Sequence, residues 1–121
     1  MYYLLGMSKR TMAKEALPAS AANALAKLGQ DIRAARVRRG ITAAELAERA
    51  FISRLTITRL EKGHPGVSLG VLAHVLWVLE LEGNLGALAD PQNDRLGTLL
   101  AVDALPKYVR KKDGDDKLYD I

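Results

Sequence analysis

Residues 42–63, TAAELAERAFISRLTITRLEKG, decide how this chain is read. Leu46, Ala47 and Ala50 recur at helical spacing, and the three residues Phe51-Ile52-Ser53 interrupt them. A second helix follows, marked by the apolar pair Ile57 and Leu60, with Arg54, Leu55, Thr58 and Arg59 on its other side. Two short helices joined by so tight a turn form a helix-turn-helix, whose second helix can enter a DNA major groove.

Working outward, helical signals continue on both sides. From Ser20 a period runs through Leu25, Leu28, Ile32 and Ala35 and stops at Arg38-Arg39-Gly40, cations in a last turn followed by glycine. Thr42 with Glu45 three residues on reads as a capping box. Ser53 caps the helix that ends at Lys62-Gly63, and Ser68 caps a fourth after His64-Pro65-Gly66-Val67. Leu69, Leu72, Ala73, Leu76 and Leu79 are its expected buried face. Val71, Val75 and Val78, with Trp77, form a second apolar stripe. A helix apolar on two sides packs on two things, so this stripe is expected to meet a dimer mate or another partner. A short fifth helix is expected at Leu85–Ala89, and a weak sixth at Asp94–Ala104 before Leu105-Pro106. Residues 1–18 show no sustained pattern, with Met7 and Met12 as alternative starts. The last stretch, KYVRKKDGDDKLYDI, is too charged and too poor in apolar residues to order itself unaided. The expected organisation is an arm over residues 1–19, a helical domain over 20–90 and a partly disordered extension over 91–121.

Charge follows the same division. The net charge is +4, but residues 1–63 hold twelve Lys/Arg against five Asp/Glu, whereas residues 64–106 hold one against five. The basic half is the helix-turn-helix half, as an electrostatic footprint for phosphate requires. A chain of 121 residues, 49% hydrophobic and poor in aromatics, suits one domain with an aliphatic core. It has no apolar run long enough to span a bilayer, and MYYLLGM is too short for a secretory segment. With no cysteine there is no disulfide framework, and a cytoplasmic protein is expected, associated with the bacterial nucleoid when bound to its operator. His64 and His74 lack metal-ligand spacing; no serine has a histidine–acid constellation in reach, and no glycine-rich phosphate loop occurs. No enzyme activity, metal or cofactor is expected.

Residues 29–82 resemble the Cro/CI-type (XRE) helix-turn-helix family through Gly29, Ile32-Arg33, Arg36, Gly40-Ile41-Thr42, Glu45-Leu46-Ala47, Ile52-Ser53, Thr56-Ile57, Leu60-Glu61-Lys62-Gly63, Ser68 and Leu72. The resemblance implies an all-α, lambda-repressor-like bundle of five helices. It also implies an ion pair between Arg36 on the first helix and Glu61 at the end of the recognition helix, where a planar guanidinium bridges two helices. Two positions depart from the family. Ala43 stands where a phosphate-contacting glutamine is usual, and Phe51 stands where the turn usually has glycine. A positive φ at Phe51 would cost about 1–2 kcal/mol. Over GHPGVSLGVLAHVLWVLEL, LADPQNDRLG and LPKYVRKK the chain further resembles HipB-type antitoxins, which repress their own operon and bind a HipA-type serine/threonine kinase toxin.

These readings give residue roles. Base contacts are expected from Ser53, Arg54, Leu55 and Arg59: Arg54 bidentate to guanine, or to phosphate, and Leu55 against a thymine methyl. Phosphate contacts are expected from Arg36, Arg38, Arg39, Thr42, Thr56, Thr58, Lys62 and His64, although the threonines can instead bond to their own helix. The dimer or partner surface is Val71, Val75, Trp77 and Val78. The function expected is a homodimeric repressor on an inverted-repeat operator, acting as the antitoxin of a HipA-like kinase through residues 91–121. The alternatives are a stand-alone phage-type or metabolic repressor, and an interaction module that inhibits a partner enzyme.

Overall fold

The computed structural model describes residues 17–109. Most of the arm read over 1–19, both alternative starts, and the tail beyond residue 109 lie outside the described residues. Among those described the protein is all-helical: α1 (Ala19–Arg38), α2 (Ala43–Arg49), α3 (Arg54–Glu61), α4 (Leu69–Val78), α5 (Glu82–Gly86), a 3-10 turn at Pro91–Asn93 and α6 (Arg95–Val109). The chain forms two compact units that divide between Glu82 and Gly83.

In the first unit local chemistry sets almost every boundary. Thr42 Oγ1 accepts from the Glu45 N–H at 3.0 Å while the Glu45 carboxylate accepts from the Thr42 N–H, closing the capping box of α2. Ser53 and Ser68 accept from the N–H groups of Thr56 and Val71, each at 3.1 Å. Ser20, in contrast, caps nothing. Helix α1 begins one residue earlier, after Pro18, whose carbonyl accepts from the Ala22 N–H. Proline's fixed φ and absent N–H already suit a helix entrance.

All four helices of this unit end in the same way, in a Schellman motif with one residue in the left-handed region. The residues are Gly40 after α1, Phe51 after α2, Gly63 after α3 and Glu80 after α4, at φ between 59° and 77°. In each case the following N–H reaches back five residues: Ile41 to Arg36, Ile52 to Ala47, His64 to Arg59 and Leu81 to Leu76. Phe51 therefore takes the strained conformation that a turn of this length demands, and so does Glu80. Each carries about 1–2 kcal/mol that a glycine would not.

The core is aliphatic. Ile32 and Ala35 of α1, Leu46 and Ala47 of α2, Ile57 and Leu60 of α3, and Val75 and Leu76 of α4 are buried, with Ile41, Ala50 and Leu79. Burying a branched aliphatic side chain stabilises by about 1.5–3 kcal/mol. The backbones of α1 and α3 meet at Gly29. A Cβ there would stand 2.5 Å from the Glu61 carbonyl oxygen, so only glycine allows the crossing. Gly63 combines both demands: its φ is +77°, and a Cβ there would stand 2.7 Å from the Ala26 backbone.

Helix α4 corrects two expectations. Val75 belongs to the core at 0% exposure, so it is no part of a partner surface, while Leu69 is 75% exposed. Both stripes of α4 are apolar, and hydropathy alone cannot fix the rotation of such a helix; the volume offered by α2 does. The fifth helix also lies three residues earlier than expected. Glu80 terminates α4 at once, the chain restarts at Glu82, and residues 87–89 are turns held by Asn84 and Leu85 carbonyls.

In the second unit Asp90 caps the 3-10 turn through the Gln92 N–H, and Asp94 accepts from the Gly97 N–H at 2.9 Å at the head of α6. Thr98 Oγ1 donates to the Asp94 carbonyl at 2.8 Å. Helix α6 continues through Pro106 to Val109, beyond the expected end at Ala104.

Candidate nucleic-acid interface

Helix α3 is only eight residues long, too short to hold an orientation by itself. Its far end is fixed by Arg36. The guanidinium donates from Nε to Glu61 Oε2 at 2.7 Å, from Nη2 to Glu61 Oε1 at 3.0 Å and from Nη1 to the Ile41 carbonyl at 2.9 Å. The two side chains are 12% and 10% exposed. One planar group thereby joins α1, the loop after it and the last residue of α3. The hydrogen bond to Glu61 raises the Arg36 pKa above its ordinary value; desolvation opposes this and the Glu61 charge adds to it. A group whose folded pKa is raised keeps its full contribution below its unfolded pKa. Loss would begin only in strong alkali, so no working pH discharges this arginine.

The ion pair is therefore as expected, but the same geometry removes Arg36 from the phosphate contacts. Three of its five donors are engaged and its side chain is nearly buried. Its neighbours take the exposed positions: Arg38 and Arg39 at the end of α1 and Lys62 and His64 just past α3. Arg39 makes one local bond, from Nη1 to the Ala35 carbonyl at 2.9 Å. His64 Nδ1 accepts from the Gly66 N–H at 2.9 Å, so the ring's other nitrogen, Nε2, is the one left to donate from this exposed residue.

Along α3 the exposed positions are Arg54, Leu55, Thr58 and Arg59, while Ile57 and Leu60 face the core. Leu55 is 59% exposed at the first turn, where an apolar side chain is poorly placed unless something covers it. Ser53 and three threonines have local partners. Ser53 Oγ caps the helix and lies 2.8 Å from Thr56 Oγ1, Thr58 Oγ1 donates to the Arg54 carbonyl at 3.2 Å, and Thr42 is held in its capping box. The arginines and leucine remain as the side chains free to reach outward. Ala43 is half-buried at the start of α2 and offers no donor.

One surface escaped the sequence reading. Arg49 and Phe51 at the end of α2 share an open groove with Trp77, Val78, Glu80 and Glu82 at the end of α4. Trp77 and Val78 had been expected on a contact surface; Arg49 and the two glutamates had not. The signal was an aromatic residue at a turn position that favours glycine.

A helix-turn-helix domain family model matches residues 27–88, just over half of the chain. No curated protein and no solved structure matches. No helix among the described residues is long and apolar enough to cross a membrane. The matched span runs from the middle of α1 through the capped pair α2–α3 and α4 to the turns after α5, and on this evidence the chain belongs to the helix-turn-helix domain family of XRE-like, DNA-binding regulators.

Proposed function

We propose that this protein is a homodimeric transcriptional repressor that reads an inverted-repeat operator with α3. The observation that carries the reading is the outward row Arg54, Leu55, Thr58 and Arg59 on a short helix fixed at both ends, by the Ser53 cap and by the Arg36–Glu61 pair. Rigid presentation matters because a bidentate arginine–guanine contact discriminates only when the guanidinium plane is held in register. Arg54 reads a guanine, Leu55 packs on a thymine methyl, and Arg59 reads a base or the adjoining phosphate. Arg38, Arg39, Lys62 and His64 supply phosphate contacts on the flank where the ends of α1 and α3 meet. A two-fold dimer doubles this contact, with half-sites one helical turn, about 34 Å, apart.

The test is competition binding between operator and random duplex. Arg54→Ala is expected to cost about 1–3 kcal/mol on the operator and to relax one base position. An unchanged ratio of operator to random affinity would remove Arg54 from base readout.

Within this reading the protein serves as the antitoxin of a HipA-like kinase. Support comes from the resemblance of Lys62–Asp94 and of LPKYVRKK to HipB-type antitoxins. Co-purification with such a kinase tests it, comparing the whole chain with a chain ending at Pro106. Loss of the kinase with operator binding intact puts inhibition in residues 107–121; no kinase binding by the whole chain rejects the antitoxin role.

A further inference from the structure

We infer that the groove between the ends of α2 and α4 is where a second copy of this chain docks, each copy inserting Phe51 and Trp77 against the other. The inference rests on the dimeric reading above and names the surface that achieves it.

Phe51 and Trp77 are the chain's only phenylalanine and only tryptophan, and both line this one groove. They are 84% and 59% exposed. Large aromatic side chains are enriched at protein interfaces, where burying them contributes more than any other apolar residue. The helix ends supply a second line of argument. Four Schellman turns close the helices of this unit; Gly40 and Gly63 occupy two of them, and Phe51 and Glu80 the others. Both side chains kept at a strained backbone position line the same groove. Nothing among the described residues accounts for Phe51, which is almost wholly exposed.

Charge then selects the occupant. The α2 wall carries Arg49 beside Phe51; the α4 wall carries Glu80 and Glu82 beside Trp77 and Val78. A two-fold contact brings the α2 wall of one copy against the α4 wall of the other and repeats the match on the opposite side. Arg49 of each copy then faces Glu80 and Glu82 of its mate, around an aromatic centre. Within its own chain Arg49 has one exposed contact with Glu45 at 3.9 Å, too weak to hold it back. A partner of uniform charge would satisfy one wall and repel the other.

The test needs no DNA, so it stands or falls apart from operator recognition. Sedimentation of the full chain over a dilution series gives the oligomeric state, and Trp77, as the sole tryptophan, reports its own burial by emission and quenching. The expected result is a dimer whose tryptophan becomes exposed on dilution. Trp77→Ala is expected to weaken association at least tenfold, with the helical circular dichroism unchanged. Arg49→Glu and the pair Glu80→Lys/Glu82→Lys are each expected to be monomeric, and an equimolar mixture of the two to associate again. That rescue cannot come from misfolded variants. A full chain that stays monomeric, a dimer that keeps Trp77 exposed, or charge variants that dimerise as the parent does would each overturn the inference.

Discussion

Arg36 shows how one residue type serves fold and site differently within four positions. Arg36, Arg38 and Arg39 are chemically alike, yet only Arg36 meets a carboxylate and a carbonyl in a nearly buried setting. Arg36→Met is expected to destabilise by about 2–4 kcal/mol in urea unfolding, because Glu61 is left nearly buried without its partner. Arg36→Lys should recover less than half of that, since an ammonium cannot bridge both oxygens and Ile41 together. Phe51 works in the other direction. Replacing it with glycine relieves the left-handed strain but also loosens the unfolded chain, so monomer stability is expected to rise by no more than about 1 kcal/mol. Self-association should weaken in the same variant. A stability loss beyond 1 kcal/mol would mean that Phe51 packs within the monomer.

At the scale of elements, the helix-turn-helix is held by caps and by one close crossing. Ser53→Ala is expected to cost about 1 kcal/mol, as N-cap losses do, and Ser53→Asp to restore most of it. Amide exchange in the first turn of α3 would report the fraying directly. Gly29→Ala should cost more than the cap does, because its Cβ meets backbone oxygens of Leu60 and Glu61 that cannot rotate away. That variant pushes α3 off α1, so it should weaken operator binding even though it touches no base. Normal operator affinity in a folded Gly29→Ala protein would show that the α1–α3 crossing does not set the reading geometry.

The whole molecule is electrostatically lopsided, with its basic excess in residues 1–63. For a regulator that binds DNA this predicts strong salt dependence, each phosphate contact contributing nearly one unit to the slope of log affinity against log salt. Arg38→Ala and Lys62→Ala are each expected to lower that slope by about one while leaving operator selectivity intact. Arg54→Ala should do the reverse. If all three variants changed selectivity equally, the division between positioning and reading residues would fail.

Much of this was legible in the chain itself. Caps are local, so Thr42 with Glu45, Ser53 and Ser68 announced their helices through interactions spanning three residues. The core of α2 and α3 was equally plain, because a short amphipathic helix has one apolar side to bury. Helix α4 was not, since it is apolar nearly all round and its rotation is decided by neighbours; that is why Val75 and Leu69 exchanged places. Arg36's commitment to Glu61 was implied by resemblance, but its consequence, three engaged donors and no reach toward phosphate, needed the geometry. Two residues of the groove, Trp77 and Val78, were expected on a contact surface, but the groove itself was not legible, because Phe51 and Trp77 lie 26 positions apart and line one surface only when α2 and α4 pack. Sequence alone located the capped helices and the helix-turn-helix that α2 and α3 form, because those depend on neighbours a few residues away. Only the tertiary structure decided which cations remain free and which aromatics face outward together, because both depend on contacts between distant segments.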